Sequence, residues 1–161
     1  MKIAEHRARP RVRTVADAVA GRLVGRPASA VAVIALAVVA AVVTARRVAA
    51  TDTYLQIQYA LPTYDGSIGP IAVTAGAVLV GLAALSAYVG AGLAPTAFLA
   101  GGPVFGWAVN HFSSSITPQY AATFPLEMAV LYGGCIGLVG YLLGRGVRTL
   151  VPPSALSPLK S

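Results

Sequence analysis

The chain has 161 residues, of which 57% are hydrophobic and only 11% charged, with a formal net charge of +7 and a mean hydropathy of +0.73. A soluble domain carries about 25% charged residues, so this composition excludes a globule covered by water and leaves a chain dissolved mostly in lipid. The single cysteine, Cys135, excludes an intrachain disulfide, and the surplus of arginine reads first as a marker of the cytoplasmic face.

Residues 1–27 form a basic segment, with Lys2, Arg7, Arg9, Arg11, Arg13, Arg22 and Arg26 against Glu5 and Asp17. The pattern predicts a helix over 14–24, with Thr14 as N-cap and Asp17 at the third helical position. Val15, Ala18, Val19 and Leu23 then fall on one side, with Arg22 and Arg26 toward the other. We expect a short amphipathic helix lying on the inner leaflet, with Arg7, Arg9, Arg11, Arg13, Arg22 and Arg26 against anionic headgroups. Nucleic acid is the competing reading of the basic run over 7–13, but no aromatic or base-reading motif accompanies the charge, and we do not expect it.

The run over 28–45, rich in Ala and Val, has the length of a spanning helix and is taken as the first span. A cleaved secretory signal competes, because Val48-Ala49-Ala50 resembles a small-residue cleavage site. The long basic segment before it, the length of the apolar run and the intervening Arg46-Arg47 favour a retained helix. Residues 51–69 are polar by this chain's standards. Tyr54, Gln56 and Gln58 alternate with Leu55, Ile57 and Tyr59, which admits a short strand or an extended segment on the membrane surface. Tyr54, Tyr59 and Tyr64 suit the interface, where the ring is buried and the hydroxyl wet.

The second span is expected over 70–90, with Pro70 in a tolerated first-turn position. The uncharged link over 90–94 permits a tight reversal, so the second and third spans should be antiparallel neighbours. The third, over 95–110, contains Gly101-Gly102-Pro103. Pro103 cannot donate to the carbonyl of Leu99, so a kink or an opening is expected near the bilayer midplane. Trp107 and Phe112 stand where an outer aromatic belt would lie.

The fourth span, over 125–144, starts at Pro125 with Glu127 in its first turn, where a carboxylate meets the positive end of the helix dipole. Its glycines Gly133, Gly137, Gly140 and Gly144 include two pairs four residues apart, each pair on one helical face and able to admit a second backbone. Arg145 and Arg148 close the segment, and 149–161 reads as an irregular tail. The domain division is thus 1–27, 28–148 and 149–161.

With four spans, both termini share a side. That side carries seven basic residues before the first span and three after the last, against only Arg46 and Arg47 opposite, so the termini are expected in the cytoplasm. Tyr88 and Tyr141 then lie at the inner ends. The Ala, Val and Arg bias fits the cell membrane of a prokaryote. The expected fold class is therefore an all-α integral membrane protein with four transmembrane helices preceded by a basic interfacial helix.

No nucleophile, metal or phosphate motif is legible, and no cofactor is expected. His6 and His111 fall on opposite predicted faces and cannot share a metal, and the glycines form no phosphate or dinucleotide loop. Three functional readings follow. The first is a non-enzymatic structural, assembly or accessory subunit that packs through Gly101, Gly102, Pro103, Gly133, Gly134, Gly137, Gly140 and Gly144, self-associating or joining a larger membrane complex. The second uses the helix break at Gly101-Gly102-Pro103, paired with Gly133-Gly134 in an inverted helix, as the path of a transporter or channel subunit. Without an ionisable group at that depth, its solute would be small and neutral. The third is a membrane enzyme in which Asn110, His111 and Glu127 meet at the outer ends of adjacent helices to move a proton.

Overall fold

The computed structural model describes residues 9–61, 68–113 and 122–151, with side chains from Asp17 onward and to Phe112 in the middle stretch. The expectations resting on Arg7, His6 and Tyr64, on the serine-rich loop over 114–121 and on the tail over 152–161 lie outside the described residues, and the side chains of Arg9, Arg11 and Arg13 do too.

Among the described residues every regular element is helical: α1 (Arg9–Val24), α2 (Pro27–Thr51), α3 (Tyr54–Ala60), α4 (Pro70–Tyr88), α5 (Leu93–Ala108) and α6 (Phe124–Leu150), with a 3-10 turn at Val109–Ser113 extending α5. Proline opens α2, α4 and α6 within the first turn, where its missing N–H would have had no partner and its φ is already helical. Three helices, α2, α4 and α6, are long and apolar enough to cross a membrane. The fourth long helix, α5, has 16 residues, about 24 Å at 1.5 Å per residue, which is short of a hydrocarbon core of about 30 Å.

Helix α5 is short but central. It packs along α6 and α2 and more lightly on α4, while α4 runs beside α6. Its buried residues fall on several sides, from Pro95 and Thr96 through Leu99, Ala100 and Gly101 to Gly106, Trp107 and Ala108. By contrast α2, α4 and α6 are exposed over most of their length, with Val, Leu and Ile pointing outward, as expected of helices that face lipid tails.

Two reversals lock one end of the bundle. Gly25, between α1 and α2, bridges to Ala91, between α4 and α5. The Arg26 amide donates to the Gly90 carbonyl at 3.1 Å, and the Gly92 amide donates to the Val24 carbonyl at 3.1 Å. Both reversals need the left-handed backbone that glycine adopts without penalty, since φ is +74° at Gly25 and +104° at Gly90. Beside this clasp the Ser86 and Thr96 hydroxyls lie 3.0 Å apart. Each is also 2.8 Å from a carbonyl of its own turn, Ala83 or Gly92, so the buried pair ties α4 to α5 with its polarity satisfied.

At the opposite end α3 folds over α5. Tyr54 stacks on Trp107 with ring centroids 5.5 Å apart, Phe124 meets the indole edge-on at 6.4 Å, and the Trp107 Nε1–H donates to the Tyr54 carbonyl at 3.2 Å. Val48 and Ala108 complete this core.

Four local expectations are corrected by these contacts. Helix α1 begins at Arg9, so Thr14 is an interior residue and not the N-cap; Pro10 is accommodated in the first turn. The segment after α2 is the helix α3, not a strand, because Tyr54 and Gln58, four residues apart, are buried together and therefore share a helical face. Tyr54 and Trp107 belong to a core and not to an interfacial belt; Tyr59 and Phe112 are the exposed aromatics there. Finally, α5 runs unbroken through Pro103, so the expected opening does not occur.

Candidate functional site

The glycines singled out in the sequence, Gly134 excepted, sort with Gly106 into three seams, each defined by what an added Cβ would strike. On the α5–α6 seam a Cβ at Gly133 would stand 2.5 Å from the Gly101 Cα and 3.0 Å from the Ala97 carbonyl oxygen. One at Gly137 would stand 2.5 Å from the Ala97 Cα, and one at Gly101 would stand 2.9 Å from the Ala129 carbonyl oxygen. Carbon atoms prefer 3.5–4.0 Å, so these backbones touch directly. On the α2–α5 seam Gly102 faces the Ala37 carbonyl and Gly106 the Ala41 carbonyl, with no room for a side chain at either. On the α4–α6 seam Gly140 faces Ala83 and Gly144 faces the Ala84 carbonyl.

Gly101 and Gly102 thus serve different neighbours. Adjacent helical residues are rotated by about 100°, so Gly101 points to α6 and Gly102 to α2. Gly134 differs from its neighbour Gly133 for the same reason: it is exposed, and nothing lies within 4 Å of where its Cβ would be. Pro103 is partly buried within α5.

Gly134 opens into a groove of about 550 Å³ that lies over α5 between α2 and α6. Ile34 and Val38 line one wall, Val130 and Gly134 the other, and Phe98 and Phe105 stand on its floor. The lining is apolar throughout, and its exposure to the outside of the bundle makes it a slot in the lipid-facing surface and not an enclosed chamber.

The polar residues Asn110, His111 and Glu127 are held by nearby groups. Asn110 Nδ2 donates to the Gly106 carbonyl at 3.0 Å and to the Ala45 carbonyl at 3.3 Å, fastening the end of α5 to α2. His111 is buried, with Nδ1 2.9 Å from the Ala108 carbonyl and its ring against Phe112 at 3.9 Å and Phe124 at 5.0 Å. The Glu127 carboxylate is exposed and accepts the Thr123 hydroxyl at 2.7 Å. These contacts tie Asn110 and His111 to the end of α5 and Glu127 to the start of α6. Among the described residues no group of three His, Cys, Asp or Glu side chains could hold a metal ion.

The arginines gather where the Gly25–Ala91 clasp closes the bundle. The Arg26 side chain and the Arg148 guanidinium both lie against Gly90. The Tyr141 hydroxyl donates to the Arg22 carbonyl at 3.4 Å, and the Arg145 guanidinium stands 5.8 Å from the Tyr141 ring centroid. Helix α1 is thereby held to the ends of α5 and α6, with Val19 and Leu23 exposed.

Several residues of these sites carry little or no signal in the sequence. Gly106 completes the α2 seam with Gly102, and its partners Ala37, Ala41 and Ala45 repeat every four residues; that double spacing is the signal that could have found the seam. The buried Ser86–Thr96 pair had no such signal, since two hydroxyls in different helices carry no spacing rule.

Residues 23–154 match the family described as Domain of unknown function (DUF8071), a span that takes in α2 to α6 and leaves most of α1 outside. No curated protein and no solved structure matches the chain.

Proposed function

The chain belongs to the DUF8071 family, and we propose that it is a small structural or accessory subunit of a membrane assembly, without catalytic activity of its own. The observation that carries this reading is the direct backbone contact of Gly101 with Gly133, at the depth where a solute path would have to open. A Cβ is excluded there at 2.5 Å, so nothing passes between these two backbones, and the groove that Gly101 and Gly102 also line is apolar and opens outward; both features support a packed scaffold over a transporter. The same holds for chemistry: His111 and Glu127 are engaged with the backbone of α5 and with Thr123, which favours a structural role for both.

In this reading α2, α4, α5 and α6 all lie across the cell membrane of a prokaryote. Helix α5, too short to span alone, is shielded by its neighbours and extended by the 3-10 turn. Both termini are cytoplasmic, because the clasp collects Arg22, Arg26, Arg145 and Arg148 at one end and leaves Arg46 and Arg47 at the other. Helix α1 lies at the inner interface with Val19 and Leu23 toward the acyl chains. The internal glycines are used by the chain's own fold, so partners meet its exposed apolar helix faces, in a second copy or in a larger complex.

The test is purification of the full-length chain from native membranes in mild detergent, after cross-linking in place. The reading expects a defined oligomer or a stoichiometric membrane partner. A chain recovered alone without cross-links, or one that carries a neutral solute across a vesicle membrane by itself, would contradict it.

A further inference from the structure

The groove between α2 and α6 has a length, a lining and an end that together define an occupant. Its floor runs along α5 from Ala94 to Phe105, about 16 Å at 1.5 Å per residue. That is close to one leaflet of a hydrocarbon core of about 30 Å. Its walls are aliphatic, and Gly134 leaves open space where a side chain would stand.

The slot runs toward the arginine-bearing end of the bundle. At Ala94 the floor stops two residues from Gly92, which packs against Leu23 and Val24 of α1. The α6 wall continues past Gly134 through Leu138 to Tyr141 and Arg145, in steps of four, three and four residues that keep one helical face. There Tyr141 holds Arg22 through its carbonyl and carries the Arg145 guanidinium over its ring. Both arginines are exposed. We propose that this groove binds one acyl chain of an anionic phospholipid whose phosphate is held by Arg22 and Arg145.

The site is a leaflet-deep slot with a cationic mouth, and charge complementarity selects the lipid class. It depends on the membrane setting and not on the assembly role, so either stands if the other fails. An arginine near a membrane surface strengthens binding to anionic lipid about 5-fold, so the two give a preference of roughly 30-fold.

The experiment is native mass spectrometry of the full-length chain in mild detergent, titrated with phosphatidylglycerol and with phosphatidylcholine of identical acyl chains. The wild type is expected to prefer the anionic lipid by at least about tenfold, and the Arg22→Gln, Arg145→Gln double variant to bind both alike. Gly134→Phe fills the slot without changing charge and is expected to weaken both lipids equally. Val38→Trp, on the opposite wall, makes the same test should Gly134→Phe fail to fold, as read from Trp107 fluorescence. Equal binding of the two lipids by the wild type, or a preference that survives loss of both arginines, overturns the headgroup assignment. Filling variants that fold and bind lipid normally overturn the groove. In a Cys135→Ser background, a Gly134→Cys disulfide between two copies that forms equally with and without lipid would give the groove to a second copy and overturn the proposal.

Discussion

Exchanging Gly133 for alanine adds one methyl group to the α5–α6 seam, and its cost follows from the contacts. The new Cβ would stand 2.5 Å from the Gly101 Cα, 2.8 Å from the Gly101 nitrogen and 3.0 Å from the Ala97 carbonyl oxygen. All three are backbone atoms, so no rotamer relieves the clash, and the helices must separate by roughly 1 Å to restore a contact near 3.5 Å. A gap of that size forfeits a quarter to a half of the attraction of each atom pair along the seam. In lipid this matters more than in water, because packing, not the exclusion of water, holds helices together. With an overpacking cost of 1–3 kcal/mol as the guide, Gly133→Ala should destabilise the bundle by about 2 kcal/mol. Gly134→Ala is the internal control: nothing lies within 4 Å of its Cβ, and alanine is the better helix former by up to about 1 kcal/mol. It should therefore be neutral or slightly stabilising. Unfolding in mixed micelles can be followed through Trp107, the single tryptophan, whose ring stacks on Tyr54. A Gly133→Ala variant within about 0.5 kcal/mol of wild type, or a Gly134→Ala variant as damaged as Gly133→Ala, would refute the reasoning.

Two further substitutions probe the buried polar groups by the same unfolding measurement. Thr96→Val removes one hydroxyl of the Ser86 pair at nearly constant volume and should cost about 0.5–1.5 kcal/mol, the range of hydrogen bonds between helices in membranes; no loss would mean that the 3.0 Å contact contributes nothing to stability. Tyr88→Phe removes a buried hydroxyl that has no partner among the described residues, so it should be neutral or stabilising by up to about 1 kcal/mol. A clear loss on that exchange would reveal a partner for the hydroxyl.

Much of the fold was legible in the sequence because long apolar runs leave little choice in lipid: only a helix satisfies its own backbone there. The three runs that became α2, α4 and α6 were visible from length and hydropathy, and their proline starts fixed one boundary each. What the sequence left open was local and tertiary. In α3, Tyr54, Gln56 and Gln58 match a period of two as well as they match a helical turn, and only the burial of Tyr54 with Gln58 decides. Trp107 stood where a belt residue stands, yet α3 folds over it and takes its indole N–H, a contact between residues 53 positions apart that no local pattern encodes. The sequence predicts a kink or an opening at Pro103; the helix does not open, because the neighbouring glycines bring α6 and α2 close and hold it on both sides. Spacing identified Gly133, Gly137, Gly140 and Gly144 as faces without naming their partners; the structure divides them, the first two to α5 and the last two to α4.

The seam at Gly101 and Gly133 is closed by direct backbone contact. The most direct measurement places single cysteines in turn from Leu99 to Phe105, in a Cys135→Ser background, and exposes native membranes to a membrane-impermeant, water-soluble thiol reagent from either side. A closed seam gives no labelling across this stretch beyond that of a cysteine on the lipid-facing surface of α4, such as Val78→Cys, whose site is exposed and apolar. Rapid labelling at Gly101 or its neighbours would mean that water reaches the middle of the bundle and that the seam is open.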